Sequence, residues 1–473
     1  MNSRSDESPI FGTSVADMCH LLQENRAGKR KGIYSVCSAN RLVLEAAFEQ
    51  AARDGSPLLI EATCNQVNQD GGYTGLTPAQ FREYVHGLAK EMRFPVERLI
   101  LGGDHLGPNP WRTKPASIAM EKACAMVSAY AEAGFSKIHL DASMSCSDDP
   151  QALANEEIAE RAARLCEAAE STVASSTDKP VYVVGTEVPT PGGAQEELEI
   201  EVTSTVSLRE TLEVHRLAFS RRNLLAAWKR IIGVVVQPGV EFGNETVADY
   251  IPEKASELSK SILQHDGIVF EAHSTDYQTP ESLRQLVSGH FGILKVGPEL
   301  TFTMREAIFG LARIEEEWIV GERRSNIRTV IERVMIEHPE NWKGYYHGDN
   351  HTVRVARAYS LSDRIRYYWP NAEISEALTL LLQNLEENPA PLPLVAQYLP
   401  REAGAIRVGA IRNNPTAMIH HKIRESLSRY AEACGLALHG QGSGMRADVD
   451  KNGYGQQELD SLDIQATVQQ RIT

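Results

Sequence analysis

Eight short apolar runs separated by helix-like segments constrain this chain more than any other feature. They cover residues 33–38, 58–64, 99–104, 137–141, 181–187, 231–237, 268–273 and 292–296. Each is rich in Val, Ile or Leu, as a parallel strand buried on both faces must be. The intervening segments 41–53, 78–92, 117–133, 156–170 and 205–220 read as helices. Thr77 precedes Pro78 as an N-cap precedes a proline at the first helical position. Gly134 ends a helix just before a strand, as a C-terminal glycine does. Eight strand–helix units in series predict a closed (β/α)8 barrel of α/β class. An open doubly wound sheet is the alternative, but no GxGxxG follows the first strand and the count reaches eight.

Nearly every run ends in a polar cluster. These clusters are 38–40 (SAN), 64–66 (CNQ), 104–105 (DH), 141–143 (DAS), 186–188 (TEV), 237–239 (QPG) and 273–276 (HSTD). The opposite strand ends show no such clustering. In a barrel the C-terminal strand ends converge on the face where active sites are built. From about residue 304 the pattern becomes helical, with 304–320 read as the eighth barrel helix. Pro370, Pro389, Pro391 and Pro393 punctuate the rest. The expected organisation is a barrel over 1–320, a helical C-terminal extension over 321–434 and a polar tail over 435–473.

Composition excludes several partners. The net charge of -15 argues against nucleic acid, which needs a basic face. No apolar run reaches the roughly 18 residues of a membrane span. The polar residues 1–9 offer no apolar signal core, so the chain is expected to be cytoplasmic. Seven scattered cysteines without paired spacing fit reduced thiols. No CxxC is present, so a thiolate zinc site is not expected. Cys37 and Cys64 read as packing residues.

Asp104–His105 is the most informative pair. It offers a carboxylate for proton transfer beside an imidazole for a metal. His273 closes the seventh run and supplies a second imidazole. Two histidines and a carboxylate at one barrel mouth suit zinc or a similar divalent cation. The third ligand stays open between Glu187, which ends the fifth run, and Glu241, just past the sixth. Glu187 is also a candidate base. His139 lies mid-strand and reads as a satisfied core histidine. Asn40, Gln66, Asp141, Gln237 and Asp276 are hydrogen-bonding groups suited to a polyol. Glu61 and Glu271 lie deeper in their strands, as orienting groups behind the site.

The segments 101–111 (LGGDHLGPNPW), 138–144 (IHLDASM), 185–189 (GTEVP) and 271–278 (EAHSTDYQ) resemble the Z-subunit family of D-tagatose-1,6-bisphosphate aldolase. So do 295–302 (KVGPELTF) and 362–369 (SDRIRYYW), and the likeness runs from about residue 34 beyond 369. The resemblance implies kinship with metal-dependent class II aldolases. It implies that Asp104 is the catalytic acid/base and that His105 and His273 bind the metal. The sixth-strand histidine ligand of those enzymes has no histidine here, and Glu241 is the nearest candidate. Asp141 and Glu187 are placed at the same mouth. The loops that hold substrate phosphate in class II aldolases are replaced by 274–280 (STDYQTP) and 296–300 (VGPEL), which carry Asp276 and Glu299. Lys343, Arg354, Arg364 and Arg366 are the remaining candidate phosphate partners.

Members of this family also carry the label tagatose-6-phosphate kinase. No GxxxxGK[ST] loop supports that label, and the glycines at 440–444 have no lysine beside them. The resemblance instead implies an accessory subunit that supports a catalytic Y-type aldolase subunit. The retained acid and histidines imply, alternatively, a stand-alone ketose 4-epimerase or retro-aldol enzyme. Expected partners are therefore a ketose or ketose phosphate, a Y-type subunit and a further copy of the chain, with no nucleic acid and no membrane.

Overall fold

The computed structural model describes residues 13–188, 200–321 and 323–437. Eight parallel strands close into a barrel. In chain order they are β1 (Ile33–Val36), β2 (Leu58–Thr63), β3 (Leu99–Leu106), β4 (Lys137–Leu140), β5 (Val181–Val184), β6 (Ile231–Val235), β9 (Val269–Ala272) and β10 (Phe291–Val296). Between β6 and β9 runs a small antiparallel hairpin of β7 (Glu241–Phe242) and β8 (Val247–Ala248). The barrel closes where β1 pairs with β10, Ile33 opposite Ile293 and Val36 opposite Val296. The expected fold class is the one observed.

The barrel helices fall where periodicity and caps place them. Thr77 and Gln80 form a reciprocal capping box ahead of the helix Pro78–Glu91. Asn40 caps the helix Arg41–Asp54, which Gly55 ends in the left-handed conformation at φ 64°. The eighth barrel helix begins earlier than periodicity suggests, spanning Pro298–Trp318. Pro298 at its first turn supplies a preset φ at no cost in hydrogen bonds.

A helix over Thr13–Arg26, to which the sequence reading assigned nothing, covers the N-terminal strand ends. Its Val15, Met18 and Leu22 join the first residues of several strands, Ile33, Leu59, Ile100, Val181 and Val269, in one buried cluster. That end of the barrel is closed by apolar packing, and the polar C-terminal end is left for chemistry.

After residue 321 six α-helices among the described residues wrap the barrel, from Ile327–Glu337 to Pro415–Ala433. The last buries Met418, Ile419, Ile423, Leu427 and Tyr430. It packs on the barrel helices Arg41–Asp54 and Pro298–Trp318. Its Tyr430 hydroxyl donates to the Thr275 carbonyl at 2.7 Å, next to the seventh barrel strand. Among the described residues no helix is long and apolar enough to cross a membrane. The tail expected from 435 onward lies, beyond residue 437, outside the described residues.

Candidate active site at the barrel mouth

Consecutive strand residues point to opposite faces, so Asp104 and His105 should not share a site. A local irregularity brings them together. The register of β3 against β4 shifts between Gly103 and Leu106, and His105 sits at φ 49°. A left-handed conformation costs a non-glycine residue about 1–3 kcal/mol and persists only where its surroundings hold it. Two glycines of the motif make room for this. A Cβ on Gly102 would lie 2.4 Å from Glu61 Oε1, and one on Gly107 would lie 1.6 Å from the Asp141 carbonyl oxygen. Ser274, directly after His273, is also left-handed at φ 53°.

Asp104, His105, His139 and His273 each present one donor atom, and these atoms lie within 4.8 Å of one another. All four residues are buried. Each imidazole has one nitrogen engaged by a carboxylate. His105 Nδ1 lies 2.8 Å from Asp141 Oδ2, His273 Nε2 lies 2.9 Å from Glu271 Oε1, and His139 Nδ1 lies 3.2 Å from Asp104 Oδ1. If His105 and His273 donate to their carboxylates, His105 Nε2 and His273 Nδ1 are left with free lone pairs, whereas His139 Nδ1 also accepts from the His105 amide at 3.2 Å. Carboxylates orient metal-ligating histidines in just this way. His139 Nε2 is buried with no hydrogen-bond partner. A buried ring nitrogen without a partner is uncommon in a packed core, and the His139 ring lies 5.1 Å from those of His105 and His273.

Beneath the histidines lies a charged network. Lys137 Nζ reaches Glu61 at 2.6 Å and Glu271 at 2.7 Å. Lys295 Nζ reaches Asp104 at 2.8 Å and also pairs with Glu61. Ser35 donates to Glu61 at 2.6 Å. Four buried carboxylates (Asp104, Asp141, Glu61, Glu271) thus face two buried ammoniums. Counted as carboxylates against ammoniums, the excess is two negative charges, which one divalent cation would offset. Burial alone would raise the Asp104 carboxyl, but His105 and Lys295 hold it well below the usual range. Burial pushes His273 down to about 3, which keeps the neutral, ligating form. For His105 burial favours the neutral ring, yet Asp104 and Asp141 outweigh it and raise the value.

The structure gathers Asp104, His105 and His273 and does not bring Glu241 or Glu187 to them. Glu241 turns back on its hairpin and accepts from the Phe242 amide at 3.0 Å. Glu187 is exposed and accepts from the Thr203 hydroxyl. The third imidazole is His139, contrary to its reading as a core histidine. It points inward because it lies two residues before Asp141 on β4. Asp141 orients His105 and accepts from Ser143, and it does not line the cavity. Gln237 accepts from the Gly239 and Val240 amides and closes its own loop, also away from the cavity. Asn40, Gln66 and Asp276 do line the cavity. Each also has a structural duty: Asn40 caps a helix, Gln66 accepts from the Thr63 amide, and Asp276 accepts from the Gly297 and Glu299 amides. Sequence reasoning missed Lys137 and Lys295. Their signal was a lysine inside a strand of otherwise buried residues.

The cavity above the cluster is roofed by the helical extension through Arg366, Tyr367 and Trp369. That roof is fastened from below. Arg305, buried on the eighth barrel helix, pairs with Asp363 at 2.7 Å. Tyr277, after β9, donates its hydroxyl to the Leu361 carbonyl at 2.6 Å. Tyr73 packs edge-on against Tyr367 at 5.0 Å.

Residues 18–435 match the family described as D-tagatose-1,6-bisphosphate aldolase subunit GatZ/KbaZ-like. A crystal structure from Sinorhizobium meliloti 1021, described as a probable tagatose 6 phosphate kinase, is 46% identical with a TM-score of 0.79. The match covers 85% of this chain and all of that one. The YdjI aldolase of Escherichia coli K12 is 12% identical, with a TM-score of 0.38 over 78% of this chain and 96% of that one. A fructose-bisphosphate aldolase of Campylobacter jejuni is 15% identical, with a TM-score of 0.44 over 80% of this chain and 93% of that one. The last two likenesses are too distant to carry residue roles.

Proposed function

Because the chain belongs to the GatZ/KbaZ-like family of D-tagatose-1,6-bisphosphate aldolase subunits, we propose that it serves tagatose-type carbohydrate metabolism in the cytoplasm as the partner of a catalytic Y-type aldolase subunit. In this reading it keeps a ketose site of its own that holds a divalent cation, zinc. The observation that carries the site is the convergence of Asp104, His105, His139 and His273, each histidine oriented by a carboxylate. The chain's seven free cysteines suit a reducing compartment.

The intact donor set favours a second reading, in which the chain alone acts on a ketose as a 4-epimerase or retro-aldol enzyme. His105, His139 and His273 would hold the cation, which supplies a Lewis acid at the substrate carbonyl. Asp104 accepts the proton of the C4 hydroxyl. The C3–C4 bond then breaks, and its electron pair passes toward the C2 carbonyl. In the epimerase the aldehyde fragment rotates, the bond re-forms, and Asp104 returns the proton. In the retro-aldol reaction the fragments leave. Lys295, 2.8 Å from Asp104, keeps that carboxylate ionised and in place. Asp141 fixes the His105 ring.

The test is an NMR assay of the full chain with D-tagatose, D-fructose and D-tagatose 1,6-bisphosphate, with and without a Y-type subunit. Turnover that appears only with the Y-type subunit supports the partner reading. Turnover of a free ketose by the chain alone supports the second. For that second reading, Asp104→Asn should lower the rate by about 100-fold or more, the usual yield of a positioned acid/base. Undiminished turnover would remove Asp104 from the chemistry.

A further inference from the structure

Two carboxyls line the cavity among the described residues, Asp104 and Asp276. They stand on opposite sides of it. Asp104 belongs to β3 and Asp276 follows β9, and those strands lie four places apart in the eight-stranded ring. Their surroundings drive them in opposite directions. Burial would raise Asp104, but His105 and Lys295 hold it low. No cation pairs with Asp276 among the described residues. The charge beside it is a second buried carboxylate, Glu299, which pairs with Arg429 of the last helix. Glu299 also accepts from the Ser426 and Tyr430 hydroxyls and the Tyr277 amide. Burial, and after it the Glu299 charge, push Asp276 up to about 7.

One oxygen of Asp276 fixes the group and the other is free. Oδ1 accepts from the Gly297 amide at 2.9 Å and the Glu299 amide at 2.8 Å. Oδ2 has no hydrogen-bond partner among the described residues, yet it is not sealed from solvent, so it opens on the cavity. A carboxyl that keeps a proton near neutral pH is a general acid, and two carboxyls set apart by their surroundings divide the acid and base roles.

We propose that Asp276 is a second proton-transfer group of this cavity, delivering a proton to C3 of the ketose after Asp104 has drawn off the proton of the C4 hydroxyl. This rests on the reading in which the chain alone acts on a ketose. When the C3–C4 bond breaks, its electron pair is shared between C3 and the C2 carbonyl. That pair forms the new C3–H bond as the Asp276 O–H bond breaks. Water then takes the proton from Asp104 and returns one to Asp276. A 4-epimerase has no use for this step, because C3 re-forms its bond to C4. A second acid on the far wall serves the retro-aldol branch, in which both fragments leave.

In heavy water the reverse of this step exchanges a hydrogen beside the carbonyl of a three-carbon ketose for deuterium. NMR of the full chain with dihydroxyacetone and with its phosphate reads that exchange directly, beside cleavage and epimerisation of D-tagatose. The unaltered chain should exchange at least one of the two probes. Asp276→Asn keeps an oxygen for the two amides and should slow exchange by about 100-fold or more. Asp104→Asn should lose cleavage and keep more of the exchange than Asp276→Asn does. Thermal midpoints establish that the variants fold. Asp276→Glu keeps the acid but displaces it, and should slow exchange to a lesser degree. Undiminished exchange in Asp276→Asn or Asp276→Glu overturns the assignment. Epimerisation or cleavage of the ketose by the unaltered chain without any exchange also overturns it and leaves the ketose reading standing. Absence of exchange, cleavage and epimerisation overturns both.

Discussion

At the residue scale, most of the site's chemistry is carried by pairs that are distant in sequence. Asp104, His105 and His273 were legible because they end strands, where polar residues interrupt apolar runs. His139, Lys137 and Lys295 were not legible, because a polar residue inside a strand looks like any satisfied core group until its partner is known. Lys137 meets Glu61 from 76 positions away, and Lys295 meets it from 234. Glu187 and Glu241 stand apart from the cluster because each has another partner, the Thr203 hydroxyl for Glu187 and the Phe242 amide for Glu241. The network makes Lys295 structural as well as electrostatic. Lys295→Met should leave Asp104 and Glu61 short of compensation and lower stability by about 3–5 kcal/mol, the cost of breaking a buried pair. Chemical denaturation measures this, and a loss within the few tenths typical of a surface substitution would show that the charges are not coupled.

At the element scale, the eight strands and their helices could be read from periodicity, capping residues and Val/Ile/Leu content. The helix Thr13–Arg26 could not, because its apolar face is only three residues wide, Val15, Met18 and Leu22. The contact between the last helix and the barrel was equally silent in sequence. There His420 sits between Glu45 at 3.2 Å and Glu49 at 2.9 Å, with Arg424 also reaching Glu49 at 2.9 Å. Burial alone would lower His420, but its hydrogen bonds to the two glutamates raise it. Burial would raise both glutamates, but His420 draws them below their ordinary value. A raised histidine stabilises the fold fully below its unfolded value near 6.5, and that contribution is lost as pH rises through the folded value. The lowered glutamates contribute above their unfolded value near 4.5 and are lost as pH falls. The clamp is therefore strongest between these limits. Thermal melts of His420→Gln against the unaltered chain should show the largest gap at about pH 5.5–6.5, narrowing toward pH 8 and above. A gap independent of pH would mean that packing, not charge, holds this helix.

At the scale of the whole molecule, the two barrel ends have divided their work. The N-terminal end is sealed by the apolar face of the helix Thr13–Arg26, and the C-terminal end holds a buried cluster of acids and imidazoles under a roof built by the extension. The barrel was predictable from the count of strands. The roof was not, because Arg366, Tyr367 and Trp369 belong to a segment with no strand or helix period to place it. It is fastened by buried Arg305 pairing with Asp363, by the Tyr277 hydroxyl on the Leu361 carbonyl and by Tyr73 against Tyr367. Charge balance and geometry agree, since the cluster carries two more carboxylates than ammoniums and three imidazoles converge beside Asp104. The most direct measurement is the metal content of the purified full chain after equilibration with zinc and removal of excess, beside that of a His139→Ala/His273→Ala variant whose fold is checked by circular dichroism. The account predicts a stoichiometric divalent cation in the unaltered chain and its loss from the folded variant. A metal-free unaltered chain, or a variant that keeps its full complement of zinc, would contradict it.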